Sequence, residues 1–97
     1  MDSVLETPKP ERANFDSYLK AGCLALDDAN YEVALMLLRR AAAADFSRPE
    51  PWYGMGMVEE RMGDNKSAGY CYYMASDLDS GYQPARQALK RLGFLME

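Results

Sequence analysis

The sequence predicts an all-α fold of five helices, and two observations carry that reading. From Phe15 onward the chain consists of long segments rich in Ala, Leu and Met, divided by four short polar or Gly/Pro breaks. Strand signals are absent: there is no sustained alternation of apolar and polar residues and no hairpin dipeptide between β-branched runs.

The elements follow in order. Residues 1–14, with Pro8, Pro10 and scattered charges, read as a flexible tail whose one apolar spot is Val4-Leu5. The first helix starts at Phe15 and stops at Asp27-Asp28-Ala29-Asn30, where Asn30 is placed to cap the second helix. Ser47-Arg48-Pro49-Glu50-Pro51 separates the second from the third, with proline near a helix start, where its missing N–H does no harm. Gly63-Asp64-Asn65 ends the third through a left-handed glycine. Asp79-Ser80-Gly81-Tyr82 before Pro84 ends the fourth. Each helix should run to about 12 to 16 residues. The last, over residues 83–97, spaces Ala85, Ala88, Leu89, Leu92, Leu95 and Met96 at three and four residues, opposite Arg86, Gln87, Lys90 and Arg91. That is one apolar stripe with a polar outer face.

Composition narrows the function. The chain has 97 residues, enough for one domain or most of one, and a net charge of −4. An acidic chain without clustered Lys and Arg carries no nucleic-acid footprint. It contains no His, which removes the usual general base near neutral pH, the imidazole metal ligand and every Ser/His or Cys/His nucleophile pair. Cys23 and Cys71 stand far apart without a CxxC, and read as two apolar thiols in a reducing compartment. With neither a signal peptide nor a membrane-length apolar run, the expected location is cytoplasmic. Glu59-Glu60 and Asp27-Asp28 are neighbours on a helix or at its end, diverging by roughly 100° rather than converging on a substrate. Gly54-x-Gly56 lies inside a helix and lacks the Lys-Ser/Thr of a phosphate loop. Tyr70, Cys71, Tyr72, Tyr73 and Met74 read as core between two helices rather than a ligand pocket. The expectation is a protein that is not an enzyme and has no cofactor or metal.

Sliding the sequence on itself by 34 residues aligns Gly22 with Gly56, Ala34 with Ala68, Ala41 with Ala75 and Asp45 with Asp79. Three of the four are small residues, of the kind close helix packing requires. Ala34 and Ala41, like Ala68 and Ala75, are two turns apart on one face. Tyr18 and Trp52 lie near the start of each first helix, and Leu38 and Tyr72 stand in each second helix.

With these residues the chain resembles the tetratricopeptide repeat family, as two repeats (15–48 and 49–82) and a capping helix over 83–97. The first unit supplies Tyr18, Ala21-Gly22, Ala25, Ala34, Leu38 and Ala41; the second supplies Trp52, Met55-Gly56, Ala68, Tyr72 and Ala75. Glu59 departs from the pattern where an aromatic is usual, as do Phe46 and Ser80 where Pro closes the repeat. The resemblance implies an α-solenoid of helical hairpins whose first helices line a concave groove for another protein.

Carried onto this chain, the groove positions are Asp16, Leu19, Cys23, Leu26 and Asp27, then Glu50, Tyr53, Met57, Glu60 and Arg61, with Gln87, Arg91 and Phe94 added by the cap. The middle of that set (Leu19, Cys23, Leu26, Tyr53, Met57, Phe94) is apolar, which suits a hydrophobic or amphipathic segment and not a C-terminal carboxylate. The expected partner is therefore a hydrophobic peptide or helix of another protein, with no nucleic acid and no membrane span. Two repeats fall short of the about three that such arrays usually need. The first helix lacks a preceding repeat, so Phe15 is expected to be exposed and a homodimer or bound protein to cover it. Two alternatives stand beside an adaptor. Pro49-Glu50-Pro51-Trp52-Tyr53 followed by Met62-Gly63-Asp64 also resembles the repeats of bacterial type III secretion chaperones, which hold a secreted subunit. A self-associating scaffold unit is the other.

Overall fold

The computed structural model describes residues 14–96. The expected tail, apart from Asn14, lies outside the described residues, as does Glu97. Among the described residues five helices follow one another: α1 (Phe15–Asp27), α2 (Tyr31–Ala44), α3 (Glu50–Arg61), α4 (Asn65–Leu78) and α5 (Gln83–Leu92). Among the described residues there is no strand. The fold is all-α, as the breaks in the sequence predict.

α1 packs on α2 and α3 on α4; α3 then joins the two hairpins by packing on α2 and touching α1, and α5 closes against α4. The core follows that arrangement. Leu26, Leu38, Met55 and Val58 fill the space between α1, α2 and α3. Tyr72, Ala75, Ala88 and Leu89 fill that between α4 and α5. Trp52 and Met57 of α3 pack against both clusters. Helix α3 is therefore the central element, and its loss would separate the two halves.

The 34-residue offset of the sequence is a structural offset as well. α2 and α4 are each 14 residues long and begin 34 positions apart. Their first turns are entered through matching backbone angles, φ −92°, ψ 76° at Asn30 and φ −105°, ψ 81° at Asp64. Both leave through an extended aspartate, Asp45 and Asp79, whose carboxylates accept hydrogen bonds from the N–H groups of Ser47 (3.1 Å) and Gly81 (3.0 Å). These side chains mimic a backbone turn.

The hairpin turns also match. Asn30 N–H donates to the Ala25 carbonyl at 2.8 Å and Ala29 N–H to Leu26 at 2.9 Å; Asp64 and Gly63 donate to Glu59 and Glu60 at 2.9 and 3.0 Å. Both are helix ends that need one left-handed residue. The second turn uses Gly63 (φ +88°), while the first puts Ala29 there (φ +59°) at a cost in steric strain. The caps diverge in one respect: Asp64 accepts from Ser67 N–H at 3.0 Å, whereas the Asn30 side chain makes no capping bond.

The close approach of each hairpin rests on one missing Cβ. A methyl on Gly22 would stand 2.7 Å from Leu38 Cγ, and one on Gly56 would stand 2.5 Å from the Tyr72 ring. Gly22 and Leu38 map onto Gly56 and Tyr72 at the same 34-residue offset, so the repeat is preserved in packing as well as in boundaries.

Two expectations require correction. Phe15 is 5% exposed, not open to solvent: it packs on Ala41 and Ala44, and the Arg48 guanidinium lies 4.5 Å above its ring. The chain thus covers the start of α1 from within. Helix α5 ends at Leu92, because Gly93 turns left-handed (φ +88°) and Phe94 N–H returns to the Leu89 carbonyl at 2.8 Å. The apolar spacing continues past Gly93, but the helix does not.

Candidate partner-binding face

Tyr53, Met57, Glu60 and Arg61 share one side of α3, because positions three, four and seven apart on a helix align. With Tyr72 and Arg91 they line a cleft of about 280 Å³. The Tyr53 ring is fixed by two others, Tyr72 at 5.6 Å and Tyr82 edge-on at 5.8 Å.

Glu60 organises the cleft. Its carboxylate accepts 2.6 and 3.0 Å bonds from the Arg91 guanidinium and a 2.7 Å bond from the Tyr72 hydroxyl, linking α3 to α4 and α5. The Arg91 bonds hold the Glu60 carboxyl below its ordinary range, with Tyr72 adding to the effect. Burial, and then the Glu60 carboxylate, push the Tyr72 phenol up. The Glu60 bond also raises the Arg91 guanidinium. At neutral pH the site is a neutralised ion pair with a protonated tyrosine against it. Arg91 is therefore already engaged, and is not a free cation awaiting a carboxylate.

From α1, Cys23 is exposed and Leu19 half-buried against two core clusters. Burial raises the Tyr82 phenol, and Glu50, Tyr53 and Cys23 all lie within electrostatic reach of it. Gln87 is exposed on α5, four residues before Arg91.

Two residues expected on this face are elsewhere. Leu26 is 2% exposed and belongs to the core between α1, α2 and α3, leaving nothing for a partner to touch. Phe94 lies beyond the end of α5, and its ring occupies the space beside Gly69 of α4 that a Cβ there would fill. The left-handed turn at Gly93 removes it from the line of Gln87 and Arg91.

Both cysteines are free thiols. Burial pushes Cys71 up to about 11 and raises Cys23 as well, so neither is an activated nucleophile at neutral pH. Among the described residues no three Cys, Asp or Glu side chains converge as a metal site, and no helix is long and apolar enough to cross a membrane.

The sequence reading missed a second surface. Between α2 and α4, over Trp52 of α3, lies a mostly apolar groove of about 620 Å³ that includes Leu35, Ala42, Met55 and Cys71. The aromatic cluster expected to be core splits here. Cys71 and Tyr72 are buried, but Tyr70 and Tyr73 are 60% and 61% exposed, and Tyr70 stands edge-on to Trp52 at 6.3 Å. One signal was available: Glu59, in the groove wall, occupies the position where an aromatic was expected, and a carboxylate fills less of the space.

No protein family, curated protein or solved structure matches the chain.

Proposed function

We propose that this protein is a non-enzymatic interaction module of the tetratricopeptide type, binding a hydrophobic or amphipathic segment of a partner protein across the face carried by α1 and α3. The observation that carries the reading is the 34-residue offset, which runs through helix boundaries, turn hydrogen bonds, exit aspartates and the Gly–Leu and Gly–Tyr approaches alike. Repeated hairpins of this kind present successive first helices side by side as an extended surface.

On that surface Leu19, Tyr53 and Met57 are half-buried while Cys23 is exposed, forming a strip for apolar anchors beside an adaptable methionine. The Glu60–Arg91 pair at its edge is satisfied internally, which favours apolar anchoring over capture of a carboxylate. With Phe15 already covered, the case for a homodimer loses its main support, and a heterologous partner is the reading retained.

A tagged pull-down from the native host, with Tyr53→Ala/Met57→Ala as the matched control, tests this. One stoichiometric partner, weakened about 30-fold or more in the variant, is the expected result for two central anchors. A partner retained equally by the variant, or recovery of the protein alone, would overturn it.

A further inference from the structure

Helix α4 turns a ridge of four residues to solvent. Lys66, Tyr70, Tyr73 and Asp77 follow one another at spacings of four, three and four, which puts them on one face, and all four are exposed. Their order is cation, aromatic, aromatic, anion. It is symmetric about the midpoint between Cys71 and Tyr72: Lys66 and Asp77 stand equally far from that point, and so do Tyr70 and Tyr73. Turned end for end, the ridge sets each charge against its opposite and each ring against a ring. Neither Lys66 nor Asp77 makes an ion pair among the described residues. Both oppose the helix dipole, with a cation in the first turn of α4 and an anion in its last, so neither stabilises the helix itself.

Apolar surface adjoins the ridge. The groove of about 620 Å³ over Trp52 includes Lys66 and Tyr70 in its wall. A second, almost wholly apolar hollow of about 430 Å³ shares Ala42 and Trp52 with it and reaches Phe46, Met74 and Leu78. Phe46 is 76% exposed there, and with Tyr70, Tyr73 and Leu78 it leaves this side of the molecule carrying several large uncovered apolar side chains.

We propose that this face joins two copies of the chain, their α4 helices antiparallel about a two-fold axis that passes between Cys71 and Tyr72. Lys66 then faces the partner's Asp77 at both ends of the contact, and Tyr70 faces the partner's Tyr73 on either side of the axis. A two-fold contact is isologous and requires a self-complementary surface, which this charge order supplies. The layout is that of a specific interface, with aromatic rings at the centre and charges at the rim. Lys66 and Asp77 are eleven positions apart, so the paired stretch is about 16 Å long, or three helical turns. The groove beside the ridge gives the partner's rings a depression to settle into. The contact uses no residue of the α1/α3 face, and so leaves that face to a heterologous partner.

Sedimentation equilibrium of the full chain tests this. The parent is expected to reach twice the chain mass, with a dissociation constant of about 1–50 µM for a contact of this size. Lys66→Glu sets like charges together at both ends and is expected to weaken the dimer about tenfold or more, as is Asp77→Lys. Each substitution suits the dipole of α4, so a monomer from either is not a folding defect. Mixed in equal amounts, the two variants regain both pairings and are expected to form a heterodimer about as tight as the parent. The double variant Lys66→Glu/Asp77→Lys should dimerise by itself. Tyr73→Asp, at an exposed position that meets the partner's Tyr70 twice over, is expected to leave only monomer. A parent that stays monomeric up to about 500 µM would overturn the proposal. So would a dimer that Lys66→Glu or Tyr73→Asp leaves unchanged, and so would charge variants that remain monomeric when mixed.

Discussion

Replacing Gly56 by alanine tests the packing on which both hairpins depend. The added methyl would stand 2.5, 2.6 and 2.9 Å from three ring carbons of Tyr72, where carbon atoms normally meet at about 3.5–4.0 Å. The ring must therefore move by about 1 Å. It has no free direction, since Tyr72 is 0% exposed and its hydroxyl is held 2.7 Å from Glu60, which Arg91 holds in turn. Overpacking of this kind costs about 1–3 kcal/mol, and weakening a hydrogen bond to a charged acceptor adds up to about 1.5 kcal/mol. Alanine regains about 1 kcal/mol of helix propensity. The net expectation is a loss of about 2 kcal/mol, or a midpoint lowered by roughly 8–16 °C for a domain of this size. Urea unfolding followed by far-UV circular dichroism and by Trp52 emission measures it. A variant as stable as the parent, or more stable, would show that the ring yields freely and that Gly56 does not set the hairpin spacing.

Three further outcomes follow from the same geometry. Ala29→Gly should raise stability by about 0.5–1 kcal/mol and Gly63→Ala should lower it by about 1 kcal/mol, because both positions are left-handed and no atom lies within 4 Å of a Cβ at Gly63; thermal melts of the pair check the opposite signs. Glu60→Gln should lose about 1 kcal/mol at neutral pH, a figure discounted for the 57% exposure of Arg91. Glu60's folded-state value lies below its ordinary 4.5, so its contribution is present above that pH and fades as pH falls toward the folded value; parent and variant melts should converge in acid. At pH 8 a thiol reagent should modify Cys23 well before Cys71, whose thiol is buried in the α2–α4 groove and pushed up to about 11; mass spectrometry of the first adduct identifies the site.

The fold was legible because its punctuation is chemical. Gly63, Pro51, Pro84 and the polar breaks around them act locally, and the helices start and stop within about three residues of those breaks, the end of α5 excepted. What failed was what depends on tertiary contact. The apolar spacing of α5 runs to Met96, but Gly93 takes the left-handed turn and Phe94 finds the open space at Gly69, a partner more than twenty residues away. Arg48 reads as a loop cation, yet its stacking on Phe15 closes the start of α1. Leu26 and Leu19 have the same residue type and adjacent register; only the packing of α2 and α3 buries one fully and the other by half. Glu60 and Arg91 were both placed on the binding face, but their bidentate pairing, which spans 31 residues of sequence, has no local signal.

The most direct test of the central claim is site-specific photocrosslinking in the native host. A photoreactive residue in place of Met57, on the α1/α3 face, is compared with one in place of Met36, which is 42% exposed on α2. The account predicts one discrete heterologous adduct at Met57 and none of the same mass at Met36. The same adduct from Met36 alone, or only adducts of the protein with itself at Met57, would contradict it.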